Sequence, residues 1–329
     1  MQILRLKQKI VLLLSLIPIL CLGQAVKRYE RLNDKVIVTL DKGEIHLSPL
    51  TDNTVRVQYA IDIKTQLTEL IFIIKTDVPN FNVSESESSL KISTSQISVI
   101  VDKQDGALSY HNNKGMVFLS EKPGSRILKE SSVQGESCYV VEQSFNSPSD
   151  EYLFGTGQFQ DGYLNIKGLP RRLTQVNTQV SIPFIISNKG YGLLWHNYGL
   201  TDFNPADKEV VLKPVGKNGD TITVDITTTE GTKKETRQDG VFSGTLTVKE
   251  EGQYAIMLDV GQKMARRWHV SIDGKEVINL KNYWLPPTTS TLVQIAAGKH
   301  NIVVTGEKND IPTIHYRKVV NETMFRSPV

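Results

Sequence analysis

Residues 151–202 read EYLFGTGQFQDGYLNIKGLPRRLTQVNTQVSIPFIISNKGYGLLWHNYGLTD. Three features sit close together in this stretch. A glycine-rich turn comes first, Gly155-Thr156-Gly157-Gln158-Phe159-Gln160-Asp161-Gly162. A polar segment over 171–179 follows, rich in side chains able to recognise hydroxyls. Last, the apolar runs 182–187 and 192–197 flank Asn188-Lys189-Gly190, the pattern of a hairpin. Glycine permits positive φ and lets another backbone or a ligand approach closely.

Outward from this stretch, the periodicity is that of strands. Val36-Ile37-Val38-Thr39-Leu40 is short and β-branched, and Val55-Arg56-Val57-Gln58-Tyr59 alternates apolar with polar. Leu70-Ile71-Phe72-Ile73-Ile74 is a continuous apolar run suited to an inner strand. Ile97-Ser98-Val99-Ile100-Val101 leads through Asp105-Gly106 into Ala107-Leu108-Ser109-Tyr110. Asn112-Asn113-Lys114-Gly115 turns into Met116-Val117-Phe118-Leu119. Asp-Gly and Asn-Asn-Lys-Gly are hairpin signals. Many short strands with regular turns and no long helix predict an all-β fold, an antiparallel sandwich.

Beyond Lys213-Pro214-Val215-Gly216 the texture changes, and Lys217-Asn218-Gly219-Asp220 reads as a boundary. A threonine-rich strand is expected over 221–229 and a charged loop over 231–240. Further strands are expected over 241–248, 252–260, 267–272, 277–280, 291–295 and 298–305, a second β-sandwich. Trp268 belongs to its core.

The 329 residues, 39% of them hydrophobic, suffice for two domains of ordinary size. Residues 1–23 have the layout of an export signal: Arg5, Lys7 and Lys9 precede an apolar core that is short for a membrane span, and Gly23 or Ala25 could supply the small residue before a cleavage site, with a signal anchor as the alternative. Cys21 raises the question of lipidation, against which Leu20 stands. Removing the segment takes away three basic residues and no acidic ones, so the formal charge of +3 falls to about zero. Nucleic acid and other polyanions are therefore not implied as partners, nor is a membrane span in the mature chain. Cys138 is then the single cysteine left, so no internal disulfide is expected, and it reads as a small core residue. The six histidines are scattered without a His-x-x-x-His pair, and Asp102 and Asp105 read as turn residues, so no metal site or cofactor is expected.

The ordered strings Phe154-Gly155-Thr156-Gly157-Gln158, Asn177-Thr178 and Lys189-Gly190-Tyr191-Gly192-Leu193-Leu194-Trp195 resemble the N-terminal β-sandwich of glycoside hydrolase family 31. This family comprises α-glucosidases and α-xylosidases; Gln158 stands in place of its usual Glu. The resemblance implies a galactose-mutarotase-like sandwich over 24–216. Trp268-His269-Val270-Ser271-Ile272-Asp273-Gly274-Lys275 and Ala297-Gly298-Lys299-His300-Asn301-Ile302 resemble a protective-antigen-type (PA fourteen) module. That implies an insert over 217–320, with the host sandwich resuming over 321–329 at Met324-Phe325-Arg326-Ser327-Pro328.

In that family, hydrolysis with retention needs two aspartates on loops of a (β/α)₈ barrel. No Asp-Met-Asn-Glu-like string occurs here, nor a strand–helix series long enough for a barrel of about 250 residues. No residue of this chain is therefore expected to be catalytic. The chain is expected to be a fragment or truncated product, the substrate-shaping part of an exported α-xylosidase or α-glucosidase. Its expected partners are α-linked oligosaccharides or polysaccharides and the catalytic barrel of the full-length protein. A free-standing carbohydrate-binding or adhesion protein of two β-sandwiches is the alternative. The resemblance places a sugar-contacting loop at Asn177 and Gln179, where Asn177 replaces the Asp of many relatives; hydrogen bonding within the loop is the competing role. The Asn-Thr pair is more similar to the α-xylosidase branch. Tyr283 and Trp284, beside Leu285-Pro286-Pro287, form a candidate glycan platform, with packing beneath the second sandwich as the alternative.

Overall fold

The computed structural model describes residues 24–61, 69–71, 77–216, 219, 221–261, 266–282 and 286–329. Among them the chain is all-β, and the strands pair antiparallel. Two sheets at the N-terminal end are meanders of sequence neighbours. One runs Val26–Arg31, Val36–Leu40, Glu44–Thr51, Thr54–Ala60. The other runs Asn82–Glu85, Ser89–Ser93, Ile97–Asp102, Leu108–Asn112, Val117–Ser120. Val36, Val38 and Leu40 point inward with their alternate neighbours half-buried, as a period of two requires. They share one core with Ile45, Leu90, Val99 and Leu108.

The middle of the chain builds two more sheets. Leu153–Gln158, Val180–Ser187 and Tyr191–Leu194 form a three-stranded sheet. The fourth sheet has the order Ile127–Val133, Glu136–Asn146, Glu322–Pro328, Thr201–Phe203, Arg171–Leu173. Its central strand, Glu322–Pro328, comes from the far end of the sequence and fills the gap between two strands laid down much earlier. Thr323, Phe325 and Ser327 face inward along it. Phe325 is fully buried, its ring stacked on Trp195 at 5.4 Å and tilted against Phe203 at 5.3 Å. Leu119, Phe145, Leu153, Ile166 and Ile185 complete this core.

Between Phe203 and Glu322 lies a separate two-sheet unit. Lys208–Val210, Thr313–Lys318, Gly252–Asp259 and Thr288–Ile295 make one sheet. Lys213–Pro214, Gly231–Val248, Gly298–Glu307, Arg266–Ile272 and Lys275–Asn282 make the other, with Thr221–Thr228 paired along Gly231–Val248. Trp268 is fully buried at the centre of its core with Phe242, Ile256, Val270, Ile302 and Val304. Gly306 makes room for that indole: a Cβ there would lie 2.1 Å from the ring.

Several expectations change. The segment 231–240 is strand rather than loop: residues 231–238 pair with Thr221–Thr228, residues 239–240 pair with Gly298–Glu307, and Arg237 is held by Glu235 at 2.7 Å and Glu307 at 3.5 Å. Leu70 and Ile71 are exposed and outside any strand, and residues 72–74 lie outside the described residues. Cys138 is a free, half-buried residue on Glu136–Asn146 rather than a core residue. Strands Lys208–Val210 and Lys213–Pro214 already pair with the second unit, ahead of residue 217.

Ion pairs are among the contacts that fasten the units to each other. At the junction, Arg326 donates to both oxygens of Asp207 at 2.6 and 2.8 Å, and its Nε donates to Glu142 at 2.6 Å. Arg172 bridges Asp202 at 3.2 Å and Asp259 at 2.8 Å.

Candidate functional site

Two loops leave the same end of the three-stranded sheet. Gln158 lies opposite Val180, so the chain departing at Phe159 runs beside the chain arriving from Asn177. One loop covers 158–162 and the other 174–181.

The second loop is braced from within. Val176 and Gln179 exchange backbone hydrogen bonds at 3.3 and 3.1 Å around a tight turn, with Thr178 at φ +71°. Gln179 is buried, and its side-chain amide donates to the Thr174 carbonyl at 2.8 Å. The Ser181 hydroxyl donates to the same oxygen at 2.9 Å, and the Ser181 N–H donates to the Gln175 side chain at 3.0 Å. A buried amide with a local partner is holding its loop. Asn177 is different: it is exposed at the tip of the turn. Among the described residues its amide has no hydrogen-bond partner, so its donors and acceptor face solvent. The structure thus separates the two residues that the sequence grouped together.

The first loop depends on one buried guanidinium. Gly155, Thr156 and Gly157 have φ of +119°, +61° and +97° in succession, which bulges the strand. The glycines are required, because a Cβ on Gly155 would lie 2.4 Å from the Phe184 carbonyl oxygen and one on Gly157 2.1 Å from that of Val180. Thr156 is β-branched and strained at that φ. It is fully buried, and Arg171 donates to its hydroxyl at 2.7 Å and to the Gly155 carbonyl at 3.2 Å. The same guanidinium grips Asp161 by Nε at 2.9 Å and by Nη2 at 2.8 and 2.6 Å. It also lies 4.4 Å from the centre of the Phe159 ring. Burial pushes the Arg171 guanidinium below its ordinary pKa, and Asp161 opposes that shift. Both side chains are nearly inaccessible, at 4% and 8% exposure, so this is a desolvated pair whose donors are satisfied locally. The Tyr163 hydroxyl continues the loop into the second unit, accepting from the Leu292 N–H at 3.1 Å and sharing a 3.0 Å hydrogen bond with Thr291.

The sequence did not single out Arg171, Asp161 or Phe159. Their only signal is opposite charge ten positions apart within a glycine-rich segment, and no regular element converts that spacing into contact. Tyr283 and Trp284 lie outside the described residues. Asp102 and Asp105 accept from the backbone N–H groups of Gln104 at 2.7 Å and Ala107 at 2.8 Å, as turn residues do. No group of three His, Cys, Asp or Glu side chains that could hold a metal occurs among the described residues.

Residues 44–204 match the family described as the glycosyl hydrolase 31 N-terminal galactose mutarotase-like domain. An α-xylosidase of Saccharolobus solfataricus is 30% identical over 168 residues, which cover 47% of this chain and 22% of the relative. An uncharacterized family 31 glucosidase of Pseudescherichia vulneris is 29% identical over 130 residues, 33% of this chain and 24% of the relative. The chain thus spans about a quarter or less of the length of these curated relatives. The crystal structure of a family 31 α-xylosidase from Xanthomonas citri superposes with a TM-score of 0.70 at 21% identity. That superposition covers 91% of this chain and 37% of the other, and it shows a shared fold. The stretch that matches the glycosyl hydrolase 31 N-terminal galactose mutarotase-like domain, residues 44–204, holds both loops of the candidate site.

Proposed function

We propose that this chain is the N-terminal, substrate-shaping part of an exported retaining α-glycosidase of the α-xylosidase type. Its catalytic aspartates would stand on a (β/α)₈ barrel outside these 329 residues. The observation that carries the proposal is Asn177. It presents an unpartnered amide at the tip of a turn whose base is held by Gln179, Ser181 and Gln175. A planar amide both donates and accepts, which matches vicinal sugar hydroxyls, and a braced turn spends little entropy on ordering when sugar binds. Asn177 would contact the non-reducing-end sugar, while Gln179 positions the turn. The second unit would be a protective-antigen-type module with its own affinity for glycan.

The test compares p-nitrophenyl α-xyloside and α-glucoside hydrolysis by this chain and by a protein extending it through a catalytic barrel. Activity in the extended protein alone is expected, with the xyloside preferred and with Asn177→Ala raising KM. Hydrolysis by the 329-residue chain would refute the proposed division of labour. An inactive extended protein, with glycan binding retained by the short chain, would favour a free-standing binding protein.

A further inference from the structure

Loop 158–162 carries the composition of a carbohydrate contact, and its two glutamine side chains take no part in its own packing. The Phe159 ring is half-buried, with the Arg171 guanidinium 4.4 Å from its centre. On either side, Gln158 and Gln160 are exposed, and among the described residues their side-chain amides bond to nothing. An aromatic ring offers a hydrophobic, electron-rich face to the C–H groups of a pyranose. Flanking amides can then take its hydroxyls in donor–acceptor pairs. Such a surface serves recognition only if the ring cannot turn away. Here the guanidinium that supports the ring is itself fixed by Asp161, Thr156 and Gly155. The register Gln158 opposite Val180 brings this loop alongside the turn bearing Asn177.

We infer that Phe159 is a sugar-stacking residue, flanked by Gln158 and Gln160, with Arg171 as the positioning residue that holds its ring in place. The ligand class is an α-linked pyranose, xylose or glucose. This rests on the function proposed above and extends it: the Asn177 turn has a second wall, which acts by stacking rather than by hydrogen bonds alone. Asn177 would then discriminate hydroxyls, and Phe159 would supply most of the residence on the ring.

The experiment is saturation-transfer NMR on the whole 329-residue chain, titrated with methyl α-xyloside and methyl α-glucoside. Strong transfer to the ring C–H protons is expected. Phe159→Ala should weaken binding about tenfold, which corresponds to about 1.4 kcal/mol. Phe159→Trp should retain or tighten it, and Gln160→Ala should weaken it about threefold, within the range of one lost hydrogen bond. Near-UV circular dichroism of each variant separates loss of the ring from loss of the fold, and the Trp variant keeps the test valid if the Ala variant unfolds. Arg171→Lys retains the charge beside Asp161 but loses the fork; it should weaken sugar binding while the Asn177 turn keeps its amide protection. Equal binding by Phe159→Ala and the parent chain overturns the inference, as does absence of saturation transfer to the parent. The titration needs no barrel, so an inactive extended protein would remove the enzyme proposal and leave this result standing. A neutral Phe159→Ala would remove the stacking wall and leave the hydrolysis result standing.

Discussion

The two cores built by residues 119–325 are assembled in opposite ways. Among the described residues, the second unit draws its core from one stretch of the chain, Val210 to Tyr316. The sandwich that carries it draws on Phe145, Phe203 and Phe325, so its last side chain arrives only after the whole second unit has been made. Strand Lys208–Val210 pairs with Thr313–Lys318, which brings the entry and exit of the second unit to about 5 Å apart. The host therefore experiences a closed, short connection rather than a loop of about a hundred residues with its closure entropy. A self-contained insert with adjacent ends can be accommodated without disturbing the strand order around it, whereas the host cannot form its core without its return strand.

Truncating one side chain in each core gives the largest effect that could break this comparison. Phe325→Ala should destabilise the host by about 3–5 kcal/mol, and Trp268→Ala should cost the second unit a similar amount. Each should move one melting transition and spare the other, measured by calorimetry. A common shift of both transitions in either variant would show that the two cores unfold as one. Next in size is Arg171→Met, which strands the buried Asp161 carboxylate and should cost about 3 kcal/mol. Its signature is local: amide exchange should quicken over 155–162 ahead of the remainder of the sheet.

A smaller effect sharpens the comparison at the junction. Arg326 holds the Asp207 carboxyl below its ordinary pKa, chiefly through their hydrogen bonds, with Arg317 and His315 adding to the shift and burial opposing it. A lowered carboxylate pKa stabilises the folded state above the unfolded value of about 3.9 and loses that contribution as pH falls through the folded value. Acid titration should thus loosen the host–insert junction below about pH 4, and Asp207→Asn should flatten that part of the profile. Because the Asp207 side chain is 63% exposed, its share should stay below about 1 kcal/mol. Smallest is Asn177→Ala, whose side chain has no partner among the described residues. Its melting temperature should change by no more than the equivalent of about 0.5 kcal/mol, so any loss of sugar recognition would be a loss of contact rather than of fold.

Much of the architecture is legible along the chain because strands declare themselves locally. Alternation in Val36–Leu40, the Asn188-Lys189-Gly190 turn and the Trp268 strand need only near neighbours to be read. The reading fails where local polarity and backbone pairing part company. Residues 231–240 are charged like a loop, yet the two-stranded ribbon leaves 231–236 exposed and can carry charge there, while Arg237 finds carboxylate partners. In the candidate site, Asn177 is legible as an amide at a turn, but Gln179 is not separable from it in the sequence. The difference is burial, and burial is decided by where the Thr174 carbonyl lies.

By itself the sequence determined the strand periodicity, the turns and the order of the motifs, since these follow from φ preferences and from the two-residue repeat of a pleated strand. Tertiary structure alone decided that Phe325 closes a core begun at Leu119, and that Glu322–Pro328 lies between strands 136–146 and 201–203. It alone gathered Thr156, Phe159 and Asp161 around the Arg171 guanidinium. The physical reason is range. Backbone preferences act over a few residues and are written in composition, whereas burial of a charge or a ring depends on which distant segments exclude water from it, and no local pattern encodes that.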